Sequence, residues 1–76
     1  MRTKLERECV GYKYTGVDDS ERMLWSVTTD YINDNIYLSA PDDEGNLDQI
    51  MAFGRACVRA CQDTKRENTS KNRTEI

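Results

Sequence analysis

The sequence predicts an α+β fold: a three-stranded antiparallel β-meander followed by one C-terminal α-helix packed on one face of the sheet. Two observations predict the strands. Apolar residues alternate over 10–14, 23–31 and 36–40, and turn-forming residues separate these runs. A third predicts the helix, an apolar period near 3.6 that begins just after Asn46.

In the first strand Val10, Tyr12 and Tyr14 share a face, and Cys9, Gly11 and Lys13 take the other. The second places Met23, Trp25, Val27, Thr29 and Tyr31 together, and the third Ile36, Leu38 and Ala40. A four-residue loop at 17–20 would set Tyr14 opposite Met23 and Tyr12 opposite Trp25. A two-residue turn at Asn33-Asp34 would set Thr29 opposite Leu38 and Val27 opposite Ala40. Both registers gather the same apolar set on one face, which a slip of one residue would destroy.

Pro41 ends the third strand and residues 42–45 form a polar bend. Asn46 then reads as a helix N-cap, with Gln49 at the capping-box position and Asp48 in the favourable first turn. At about 100° per residue, Leu47, Ile50, Met51, Gly54, Cys57, Val58 and Cys61 form one stripe, expected to face the sheet. Gly54 inside it suggests close approach beneath Trp25. The expected domain is residues 1–64, with residues 65–76 a polar, disordered tail.

A domain of this size has little volume for both a core and a deep cleft. Its 76 residues include no histidine, so Ser-His and Cys-His pairs are excluded, and no enzyme activity is expected. No glycine-rich phosphate loop or EF-hand spacing occurs either. Cys57 and Cys61 lie four residues apart and Cys9 could add a third thiolate, but a closed zinc site takes four nitrogen or sulfur ligands. The pair is expected to pack as small apolar side chains, with no metal and no cofactor. The short run Leu5–Cys9 resembles part of a vitamin-K-dependent Gla domain, yet the dense glutamates and second nearby cysteine of that family do not follow.

Charge divides the chain. Residues 1–16 sum to +2, residues 17–48 to −8 and residues 55–76 to +3. A meander followed by a helix is similar to the core of double-stranded-RNA-binding domains, which present lysines where the last helix starts. Here that place reads Pro-Asp-Asp-Glu-Gly-Asn-Leu-Asp, which repels phosphate. Arg55, Arg59, Lys65 and Arg66 leave weak nucleic-acid association as the alternative function.

The leading expectation is a small non-enzymatic interaction module, an adaptor, inhibitor or regulator of the kind carried by phages and mobile elements. It would be cytoplasmic, with no membrane span. Its partner would be another protein, or a second copy through a strand edge or the open sheet face. Leu24, Thr28 and Tyr37 would carry binding on that open face, and Asp18, Asp19, Asp42 and Asp43 in the acidic turns.

Overall fold

The structure, a computed structural model, describes residues 1–42 and 46–74. It is α+β, with an antiparallel sheet followed by one helix, but the sheet has four strands instead of three. They are β1 (Arg2–Glu8), β2 (Gly11–Val17), β3 (Met23–Asp30) and β4 (Asn35–Ser39), in the order β1-β2-β3-β4, and α1 (Leu47–Thr74) follows.

β1 is the unexpected strand. Its sequence, Arg-Thr-Lys-Leu-Glu-Arg-Glu, has one apolar residue and no alternation. Pairing with β2 specifies it, from Arg2 opposite Val17 to Glu8 opposite Gly11 across a tight connection at Cys9-Val10. The other two strand pairs keep the expected faces in different registers. Between β2 and β3, Tyr14 opposes Val27 and Gly16 opposes Trp25, four residues from the expected pairing. The loop is longer because Asp18 organises it: its carboxylate accepts from the backbone N–H groups of Ser20 (2.9 Å) and Arg22 (3.0 Å), and Glu21 adopts a φ of 63°. Between β3 and β4, Val27 opposes Leu38 and Thr29 opposes Ile36, a shift of two. Asp30 builds that turn, accepting from the N–H groups of Ile32 and Asn33 at 3.1 Å each. Even-numbered shifts keep side chains on their original faces, so the apolar set survives both changes except at Met23, beside an irregularity at Gly16/Val17.

Two glycines are required by what lies over them. A methyl group at Gly16 would collide with the indole of Trp25, and one at Gly11 with the backbone and hydroxyl of Thr29. Trp25, Val27 and Thr29 are fully buried. Thr29 also ties β2 to β3, accepting from the N–H of Tyr12 at 2.8 Å.

The helix begins as expected: the Asn46 side chain accepts from the N–H of Gln49 at 2.9 Å. Its buried face is not the expected one. Ala52, Ala56 and Ala60 join Tyr14, Trp25 and Val27 in the core, with Phe53 and Cys57 at the margin, and Asp63 and Thr64 are buried further along. Leu47, Ile50, Met51 and Val58 are 50–69% exposed, and nothing lies within 4 Å of a Cβ built at Gly54. The sheet already supplies bulk through Trp25, Tyr12 and Tyr14, so the helix face that fits against it is the one with small side chains. Trp25 meets Phe53 edge to face, centroids 5.8 Å apart at 69°. The helix also continues past its expected end near residue 64, held by a 3.2 Å bond from the Tyr12 hydroxyl to Glu67 and a 3.3 Å bond from Asn68 to Asp34. Residues 75–76 of the expected tail lie outside the described residues.

The two helix faces should respond oppositely to mutation. Ala56→Leu overfills the contact and should cost about 1–3 kcal/mol, whereas Val58→Ala should stay within about 0.5 kcal/mol. Urea melts of dilute protein check both. Equal losses would mean that the helix is seated the other way round.

Candidate functional site

The expected site residues fall on several separate elements. Tyr37 stands on β4, 57% exposed, and Thr28 is half-buried on the neighbouring strand. Leu24 is not on the open face in the expected sense, because it packs against the core cluster. A register irregularity between Gly16 and Val17 sets Val17 opposite Met23. It resets the alternation there, turning Leu24 inward and leaving Met23 exposed. Asp18 is committed to its own loop. Asp19 and Asp42 are exposed, and Asp43 lies outside the described residues.

The cysteines do not fill the core as a pair. Cys57 is half-buried, its thiol pKa raised by burial and then by Cys61, while Cys61 and Cys9 are exposed. Among the described residues no group of three or more cysteine and carboxylate side chains could hold a metal ion. Among the described residues no helix is long and apolar enough to cross a membrane.

Of the basic residues, Arg66 pairs with Asp63 at 3.1 Å, one turn from Arg59. Arg55 and Arg59 flank a shallow cavity of about 300 Å³ between α1 and β1, with Thr3, Leu5 and Tyr14 on its sheet side and Ala52 and Ala56 on its helix side. The cavity exists because α1 lies over β2 and β3, leaving the helix-side residues of β1 uncovered. Tyr14 forms its inner wall and donates its hydroxyl to the buried Asp63. Burial first, then the bond and the negative charge of Asp63, push the Tyr14 pKa up to about 12.

A second feature is the outward face of α1. Leu47, Ile50, Met51 and Val58 project from it, with Gly54 among them and the exposed Cys61 one turn beyond. Taken at 100° per residue, this stripe points about 170° away from the alanine face that meets the sheet. Leu38 and Tyr37 add exposed apolar surface at the β4 edge. Large apolar side chains gathered on one exposed helix face signal an interaction surface, whereas the same residues scattered singly would not. The apolar period revealed these residues in the sequence but not the direction in which they point. Comparison with protein-family models, with curated proteins and with solved structures finds no match.

The Tyr14–Asp63 bond gives a pH signature. With its folded pKa raised from 10.0 to about 12, Tyr14 stabilises the fold fully below pH 10, and that contribution disappears as the pH climbs toward 12. Denaturant midpoints of wild type should therefore fall across this window. Tyr14→Phe should be less stable at pH 7 by about 1–3 kcal/mol, with a shallower alkaline decline. An unchanged alkaline slope in the variant would disconnect Tyr14 from that decline.

Proposed function

We propose that the chain is a small non-enzymatic protein-interaction module whose principal contact surface is the outward face of α1. One observation carries this reading: the helix spends its small residues on the sheet and turns its large apolar residues to solvent. Burying a side chain of the size of Leu or Ile contributes about 1.5–3 kcal/mol. A partner that covers this face recovers that contribution, which the fold alone leaves unused. The role is that of an adaptor, inhibitor or regulator, since such a surface binds without transforming what it binds. The β4 edge, with Tyr37 and Leu38 exposed and no charged residue from Asn35 to Ser39, is a subsidiary contact.

Weak nucleic-acid association remains the second reading, favoured by Arg55 and Arg59 standing together at the mouth of the β1–α1 cavity. Such binding would be driven by counterion release and would weaken steeply with salt.

The test uses immobilised wild type, Ile50→Asp and Tyr37→Ala with extract from the source cells, each captured protein then being purified and bound again as a defined pair. Ile50→Asp should keep the wild-type melting temperature and lose the partner, whereas Tyr37→Ala should weaken capture only modestly. A partner indifferent to Ile50→Asp but lost with Tyr37→Ala moves the site to the sheet. Recovery of nucleic acid alone, released by about 200 mM salt, replaces the first reading with the second.

A further inference from the structure

Gly54 has no use inside its own chain. It sits in the interior of a helix, where glycine costs about 1 kcal/mol relative to alanine, and the space around its absent side chain is open. It also stands at the midpoint of the exposed apolar stripe. Reflecting the helix through Gly54 matches Ile50 with Val58 and Leu47 with Cys61. Both matches set a larger apolar side chain against a smaller one. The stripe is therefore self-complementary in antiparallel order, and the one position that lies on the axis lacks a side chain.

We propose that two copies of this chain associate through α1, antiparallel about a two-fold axis at Gly54, and that the partner of the outward helix face is a second copy. The proposal rests on that face being the contact surface. Gly54 lets the backbones approach at the short end of the 8–10 Å range of packed helices. Because the stripe points away from the sheet, the assembly is sheet-helix-helix-sheet, with both sheets outermost.

Charge selects the antiparallel order. Asp42 and Asp48 lie on the N-terminal side of Gly54, and Arg59 and Lys65 on its C-terminal side. A two-fold axis across the helices sets the N-terminal end of each stripe beside the C-terminal end of the other. Parallel order would set the basic end of one helix beside the basic end of the other. The opposed term is Arg55, which falls near the axis and faces its own copy. The seam from Leu47 to Cys61 is only about 22 Å long, below the size of a standard interface, so the association should be reversible and in the micromolar range.

Sedimentation across the micromolar range should show a monomer–dimer equilibrium in the full chain. Gly54→Gln introduces a good helix former that meets nothing in its own chain, so it should abolish the dimer without lowering the monomer's melting temperature. For orientation, Leu47→Cys is combined with Cys9→Ser and Cys57→Ser, leaving Cys61 in place. Mild oxidation should then give links between residues 47 and 61 of different copies. A chain that stays monomeric, a dimer indifferent to Gly54→Gln, or links joining 47 to 47 each overturn the proposal. A monomeric chain whose purified protein partner still requires Ile50 removes only the second copy as occupant. A monomeric chain whose partner ignores Ile50 removes the contact surface as well.

Discussion

Trp25 lies over Gly16, and the rest of the architecture follows from that pairing. A tryptophan directly opposite a glycine can lay its ring across the neighbouring strand, because no side chain rises from the glycine to stop it. The ring then becomes the floor on which the helix rests, closed on one side by the edge-to-face contact with Phe53. A floor already this thick leaves room only for methyl groups above it. Ala52, Ala56 and Ala60 provide them at four-residue spacing, one turn apart. The larger residues of α1 are thereby turned to solvent.

The sheet edges differ in a way that bears on how the molecule meets others. β1 carries five charged residues in seven, and Arg2 and Lys4 pair with Glu21 in the β2–β3 loop. Charged edge strands resist pairing with other chains. β4 has no such protection and presents Tyr37 and Leu38 instead. The side of the molecule bounded by β4 and the outward helix face is thus apolar, while the β1 side is polar and holds the arginine-flanked cavity. Acidic residues that looked like a binding surface mostly have local work. Asp18 and Asp30 each satisfy backbone N–H groups of a turn, and Asp63 anchors the helix to Tyr14.

Strand existence was legible wherever a strand buried one face, since alternation records burial. β1 buries neither face, so its sequence carries no such record and its pairing with β2 alone defines it. Registers were off by even numbers because loop lengths were set by Asp18 and Asp30, whose bonds to nearby backbone groups lengthen both turns. The face assignment survived because pleating repeats every two residues. Among site residues, Tyr37 was placed correctly as exposed, whereas Leu24 was not, because the irregularity beside Gly16 breaks the alternation on which its placement relied.

The sequence by itself determined that the chain is a small antiparallel sheet followed by a helix capped at Asn46, and, away from Met23 and Leu24, which side chains of β2, β3 and β4 share a face. Those properties are local, arising from alternation, turn residues and the capping side chain. The tertiary structure decided which face of the helix meets the sheet. Hydrophobic periodicity identifies an apolar stripe, and an amphipathic helix ordinarily buries it. Here a second stripe, made of alanines, competes for the same contact. The choice between them depends on the volume standing on the sheet beneath, a quantity fixed by Trp25, Tyr12 and Tyr14 more than twenty residues away in the chain.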